Sequence, residues 1–194
     1  MKAVGISRRR LIGSVCALGA MNITRRANAC SGNALLKIRR RTTFRTFDPA
    51  DCWGEDSVIS CNILAPLVRF RRRDNDDDAW SVVNHLASDI NQDDEVVYTF
   101  KLRNDEDWPS GSKISAADVK FSFDRIAGLD TSSQNQIVAD NRYLWSNLDH
   151  IEIQNNFSGI IRLKSKDPEF ITNKLPIGAG CIVNQTHVSN LSDR

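Results

Sequence analysis

Hydrophobic and polar side chains alternate through Val96–Leu102: Val96, Tyr98, Phe100 and Leu102 fall on one face, Val97, Thr99 and Lys101 on the other. A period of two is the pattern of a strand with one buried side, and no helix keeps such a set together. Trp108-Pro109-Ser110-Gly111 then stops regular structure and sets a turn. Ser115 follows with Asp118 three residues on, the spacing of a capping box, in which the hydroxyl satisfies an orphan amide of the first helical turn. Val119, Phe123 and Ile126 recur at i, i+4 and i+7, and Gly128 is placed to close the helix. The whole of Ala87–Ile126 therefore reads as a turn, a strand, a charged loop and a capped helix, the strand packing beneath the helix.

The spelling of this stretch says more than its period. Ala87, Asp94 and then Val97-Tyr98-Thr99-Phe100-Lys101-Leu102-Arg103 resemble the signature of solute-binding protein family 5. These are the extracytoplasmic receptors of peptide and nickel importers driven by ATP-binding-cassette (ABC) pumps. The run Ser115-Ala116-Ala117-Asp118-Val119-Lys120-Phe121-Ser122-Phe123-Asp124-Arg125 is similar to the family's continuation. Asn62-Ile63-Leu64-Ala65-Pro66-Leu67-Val68-Arg69-Phe70 resembles the family's Asn-Ile-Tyr-Glu-Pro-Leu-Val-Arg-Phe, with Leu64-Ala65 in place of Tyr-Glu. The resemblance extends from about Leu35 to Asn184.

It implies an α+β or α/β architecture: part of a lobe of the type II periplasmic binding proteins, with a mixed sheet and flanking helices. Family members close two lobes on a solute by a hinge. The match covers the amino-terminal part of such a receptor, so the expectation is a truncated product without its second lobe, doubtful as an independent transporter. In the family, residues just before a Leu-Asp-Pro turn line the cleft and offer main-chain hydrogen bonds to an extended peptide. By position these are Thr43 and Phe44, ahead of Phe47-Asp48-Pro49, with Tyr143 a further candidate for an aromatic contact to ligand. The implied partners are a small peptide or other small solute and the permease subunits of an ABC importer.

Residues 1–29 read as an export leader, which leaves 30–194 as the binding-protein portion. Arg8, Arg9 and Arg10 precede a short apolar stretch, Leu11 to Met21, and Ala27-Asn28-Ala29 supplies small residues at a cleavage site. Ser7-Arg8-Arg9-Arg10-Leu11-Ile12 looks like a twin-arginine (Tat) motif, and Arg25 and Arg26 before the cleavage site suit that route. The destination is then periplasmic. A lipid anchor on Cys30 is a lesser alternative, because the usual Leu at −3 is missing.

Charge follows from the leader. The formal net charge is +2, but the first 29 residues carry six cations and no acid, so removing them leaves 2 − 6 = −4. A mildly acidic mature chain gives no footing for nucleic-acid binding. The three histidines are isolated and no CxxC spacing occurs, so neither a zinc site nor any other cofactor is expected. Cys52 and Cys61, nine residues apart, could be bridged in an oxidising compartment or could be plain buried thiols. No nucleophile frame or phosphate-binding loop is present. A secreted hydrolase using the acids at Asp93–Glu95 or Asp105–Asp107 is the rival class, and a solitary interaction module the third.

Other elements follow from local pattern. Leu35–Arg45 is expected to be the first strand, with Leu36 and Ile38 inward, and Thr46–Asp51 a turn. Asp56–Phe70 is expected to be a helix, with Val58, Cys61, Asn62 and Ala65 along one stripe. Arg71–Asp78 reads as a hairpin tip, and Trp80–Ile90 as a return to the core through Val82, Val83 and Leu86. Asp130–Asn147 reads as a loop with a helical turn. Ile151–Ile153 and Ile160–Leu163 form a hairpin, and Asp167-Pro168-Glu169-Phe170 opens a helix.

Overall fold

A computed structural model describes residues 43–52, 54–73, 79–129 and 139–192. In chain order these contain helix α1 (Glu55–Ile63), strands β1 (Ala65–Pro66), β2 (Val68–Arg72), β3 (Trp80–Asn84), β4 (Ala87–Asp94) and β5 (Val97–Leu102), and helix α2 (Ala116–Ala127). A 3₁₀ turn (Asp140–Trp145) leads to β6 (Leu148–Asn155) and β7 (Ser158–Leu163). A single π-helical turn (Phe170–Lys174), a 3₁₀ turn (Gly178–Gly180), β8 (Cys181–Ile182) and helix α3 (Gln185–Ser192) complete the order.

The alternating stretch sits in the middle of the largest sheet, whose strand order is β4-β5-β7-β6. Tyr98, Phe100 and Leu102 are buried on β5, and Ile161 and Leu163 on β7. Across them lies α2, with Val119, Phe123 and Ile126 all buried, so the two periodicities meet face to face. Aromatic rings tie the layers together: Phe123 stacks on Trp145 at 4.1 Å, and Phe170 meets Tyr98 at 4.9 Å.

Helix α2 begins and ends where its residues dictate. The Ser115 hydroxyl accepts from the Asp118 amide at 3.3 Å, and the Asp118 carboxylate accepts from the Ser115 amide at 3.0 Å. Gly128 takes a left-handed φ of 72° at the far end, a conformation glycine adopts without a Cβ penalty. Before the helix, Gly111 donates to the Trp108 carbonyl at 2.8 Å, the turn that Pro109 and Gly111 set.

Two smaller antiparallel pairs complete the sheet structure: β2 with β3, and β1 with β8. Among the described residues every strand pair is antiparallel, so the parallel component of a mixed sheet does not lie within them. The tip joining β2 and β3 is closed by Arg73 donating to Ala79 at 3.0 Å; Asp74–Asp78 lie outside the described residues, and Arg71 and Arg72 belong to β2. Leu86 reaches the core and Val82 packs against it, whereas Val83, expected with them, is not part of it; β6 and β7 form the anticipated hairpin.

Several expectations are corrected. The helix expected over Asp56–Phe70 ends at Ile63, because Pro66 disfavours helical backbone at Ala65 and the chain there pairs with β8. Its stripe also fails: Val58 is 63% exposed and Asn62 is exposed as well, while Asp56 and Ser60 are buried. Ala87–Asp94, read as a turn, is an eight-residue strand. As an edge strand with a solvated face it tolerates Asp89, Asn91, Asp93 and Asp94 without losing its pairing to β5. Residues 43–48 have no regular structure where the first strand was expected, and Leu36 and Ile38 lie outside the described residues. The residues expected to open a helix at Asp167 instead make an Asx turn, with Glu169 donating to the Asp167 carboxylate at 3.1 Å, before a π-helical turn of five residues. The export leader, Cys30 and residues 130–138 also lie outside the described residues.

Candidate functional site

The turn Thr46–Asp51 is wound by its own side chains. Thr46 Oγ1 accepts from the Asp48 amide at 3.0 Å, and Asp48 Oδ1 accepts from the Ala50 amide at 3.0 Å. The Asp48 carbonyl accepts from Cys52 at 2.9 Å and from Asp51 at 3.1 Å. Arg125, in the last turn of α2, grips both Asp48 oxygens, with Nη1 to Oδ1 at 2.8 Å and Nη2 on Oδ2. Only 10% of the Arg125 side chain and 27% of that of Asp48 remain exposed. Burial pushes the Asp48 carboxyl upward, but the guanidinium and the Ala50 amide outweigh it and hold the group below its ordinary value.

A second clamp comes from the 3₁₀ turn. Asn141 is buried, and its Nδ2 donates to the carbonyls of Pro49 at 2.8 Å and Cys52 at 3.0 Å. Its backbone amide donates to Ala50 at 3.0 Å, and that of Asp140 to Asp51 Oδ1 at 3.1 Å. The carbonyls of Pro49, Ala50 and Cys52 are thereby satisfied without a strand, as buried backbone requires. Trp145 at the end of the same 3₁₀ turn is locked into the core against Phe123.

These clamps frame a shallow, open depression of about 140 Å³ lined by Cys52, Gly54, Ser57, Asn141, Tyr143, Leu144, Ile177 and Ala179. One wall is the start of α1, and the opposite one the segment Ile177–Ala179. They approach closely because residue 178 is glycine: a Cβ there would stand 2.2 Å from Ser57 Oγ. The lining mixes apolar carbon with a few polar atoms, in a space smaller than the usual pocket for a small molecule.

The proposed contact residues fall unevenly around it. Tyr143 is on the rim, 58% exposed. Thr43 and Phe44 are exposed and do not line the depression; the Phe44 ring packs on Phe47 at 4.1 Å. Arg45 links the two regions, its amide donating to Asp56 Oδ2 at 3.1 Å and its Nη2 meeting Asp140 Oδ2 at 3.4 Å. The segment carrying Thr43 and Phe44 is thus led past the first turn of α1 to the 3₁₀ turn that carries Tyr143.

Sequence reasoning missed Asn141, Ser57 and the Arg125–Asp48 pair. Arg125 lies off the apolar stripe of α2, which marks it as directed elsewhere but names no partner. The cysteines also fall differently. Cys52, Cys61 and Cys181 are all free, and the sulfur that meets Cys61 is that of Cys181, at 3.9 Å. Among the described residues no group of three or more His, Cys, Asp or Glu is placed to hold a metal ion, and no helix is long and apolar enough to cross a membrane.

Solved structures carry the same architecture. The MoaA binding protein of A. tumefaciens R10, in complex with mannopinic acid, superposes with a TM-score of 0.64 at 22% identity, over 77% of this chain and 29% of its own. NikZ of Campylobacter jejuni, in complex with Ni(L-His), gives 0.62 at 24% identity over 77% and 27%. DppA of Helicobacter pylori, in complex with peptide STSA, gives 0.62 at 20% identity over 77% and 31%. The chain therefore spans about three tenths of the length of these proteins and forms part of a lobe of their fold. No curated protein matches it in sequence. The sequence model of the bacterial extracellular solute-binding proteins, family 5, matches residues 81–183, more than half of the chain. With that match on the β5–α2 core and the adjoining hairpin, the chain belongs to solute-binding protein family 5.

Proposed function

We propose that this chain supplies one wall of the solute cleft in an extracytoplasmic receptor of an ABC importer, with a peptide or other small solute as ligand. The observation that carries the reading is the doubly clamped turn at Asp48–Cys52. Buried polar groups fix the loop, while Thr43, Phe44 and Tyr143 beside it stay exposed. Thr43 and Phe44 offer an irregular backbone to which an extended peptide can add as a strand, and Tyr143 offers a ring face. The 3₁₀ turn that bears Tyr143 is rigid at its base, so contact there costs little ordering. Residues 1–29 act as a Tat-type leader that places the receptor in the periplasm, where permease subunits of the importer receive it. A receptor hinge closes two lobes on the solute, so this part of a lobe, by itself, is expected to bind weakly.

The test is thermal protection of the full chain, alone and mixed with the remaining portion of a family 5 receptor as a separate polypeptide. A panel of tetrapeptides and nickel–histidine serves as the probe set. The reading requires a rise in Tm with at least one probe in the mixture, lost in Phe44→Asp. Protection that survives Phe44→Asp removes Phe44 from the site, and no protection by any probe overturns the reading.

A further inference from the structure

Cys61 and Cys181 stand 120 residues apart in sequence, yet their sulfurs lie 3.9 Å apart. The fold dictates this proximity. Cys61 is in the last turn of α1, which runs through Leu64 directly into β1, and β1 pairs with β8 so that Pro66 faces Cys181. The Cys181 sulfur also lies 3.9 Å from the Leu64 carbonyl, at the end of the same helix. Two thiols brought together by a helix end and a strand pair are in van der Waals contact, and have to close from 3.9 Å to the roughly 2.05 Å of a sulfur–sulfur bond.

We propose that Cys61 and Cys181 are a disulfide-forming pair that, on oxidation, locks α1 to β8 and fixes the α1 wall of the depression. The two sulfurs are unequal in a way that orders the reaction. Cys61 is half-buried and within reach of an oxidant, whereas Cys181 is buried. Cys181 donates to the Cys61 sulfur, which holds the Cys61 thiol below its ordinary value. The oxidant is a disulfide, either a small molecule such as oxidised glutathione or an exported thiol–disulfide oxidase. The Cys61 thiolate attacks one of its sulfurs, forming a mixed disulfide and releasing one thiolate. Cys181 then gives up its proton and attacks the Cys61 sulfur, releasing the second thiolate. Two protein thiols lose two electrons and two protons, and one oxidant disulfide becomes two thiols.

The bond closes a loop holding β2 to β7 and α2, the whole of the largest sheet with its covering helix. A cross-link over so long a stretch removes more freedom from the unfolded chain than from the folded one. Gly54 and Ser57, at the opposite end of α1 from Cys61, line the depression, so the lock acts on a wall of the candidate site. Oxidation needs no ligand, and its test stands or falls independently of solute binding.

The full reduced chain is incubated with oxidised glutathione, alkylated, and cleaved with trypsin and an endoprotease specific for glutamate. Cleavage after Glu55 separates Cys52 from Cys61. The expected product is a cross-link between residues 56–69 and 175–194, absent after reduction and absent in Cys61→Ser. It persists in Cys52→Ser. The oxidised chain melts roughly 5–15 °C above the reduced one, with slower hydrogen exchange through α1; Cys61→Ser, at a half-buried position, folds but shows neither change. A folded chain that yields only glutathione adducts, a cross-link running through Cys52, or a Tm unchanged by oxidation overturns the proposal.

Discussion

Arg125 and Asp48, 77 residues apart in sequence, meet through two parallel hydrogen bonds that hold the Thr46–Asp51 turn to the end of α2. Removing one partner leaves a largely buried charge uncompensated, which costs more than the pair itself contributes. Arg125→Leu is expected to lower unfolding free energy by about 2–4 kcal/mol, measured by urea denaturation at neutral pH.

The same pair gives a pH signature. Because the folded Asp48 carboxyl sits below its ordinary 3.8, its stabilisation is complete above that value and is lost as pH falls through the lower, folded value. The urea midpoint should fall on the acid side of about pH 4, and Asp48→Asn should flatten that part of the profile. An unaltered acid limb in Asp48→Asn would show that other carboxylates set it.

Asp118 joins three segments. Its carboxylate accepts from the Ser115 amide at 3.0 Å, from the Ser115 hydroxyl at 2.8 Å and from the amide of Gln185, the first residue of α3, at 2.9 Å. Ser115→Ala should cost about 1 kcal/mol, the usual value of a lost cap. Asp118→Ala should cost more, about 2–3 kcal/mol, since several donors lose their acceptor together. Equal losses in the two variants would mean that the bonds from the Ser115 amide, the Trp108 indole and the Gln185 amide together contribute nothing.

Asn141 and Tyr143 separate structure from binding within one 3₁₀ turn. Asn141→Ala strands the Pro49 and Cys52 carbonyls and should cost about 1–3 kcal/mol, with faster hydrogen exchange at residues 50–52. Tyr143→Ala, at an exposed rim position, should stay within about 0.5 kcal/mol of the parent. Any loss of ligand protection in that variant then reports contact rather than unfolding.

Gly178→Ala drives a methyl into Ser57 and should cost about 1–3 kcal/mol. Ser57→Ala removes the oxygen that lies nearest, so the double variant should recover part of the loss. Strict additivity of the two changes would place the strain elsewhere.

The strand at Val97–Leu102 and the helix at Ala116–Ala127 were legible because everything that defines them is local. Alternation sets the buried face, Ser115 and Asp118 start the helix, and Gly128 ends it. The helix at Glu55–Ile63 was overextended because the stripe from Val58 does not mark its buried face, which Asp56 and Ser60 occupy. Pro66 was the contrary local signal, and it prevailed. The strand at Ala87–Asp94 escaped notice because an edge strand with one solvated face has no need of alternating apolar residues. Of the candidate site, the Asp48–Pro49 turn was legible in itself, since Asp48 bonds its own backbone. Its anchors were not. Asn141 lies 92 residues beyond Pro49, and no periodicity carries information over that distance.

That span also sets an order of events. Pro49 leaves the ribosome 92 residues ahead of the side chain that holds it, and Asp48 77 residues ahead of its guanidinium partner. Nascent turn and nascent helix cannot meet until the five strands between them, β1 to β5, have been synthesised, and closing so long a loop is unfavourable until hydrophobic collapse has drawn its ends together. The Thr46–Cys52 corner, although early in the chain, therefore becomes rigid only after α2 and the 3₁₀ turn have been made.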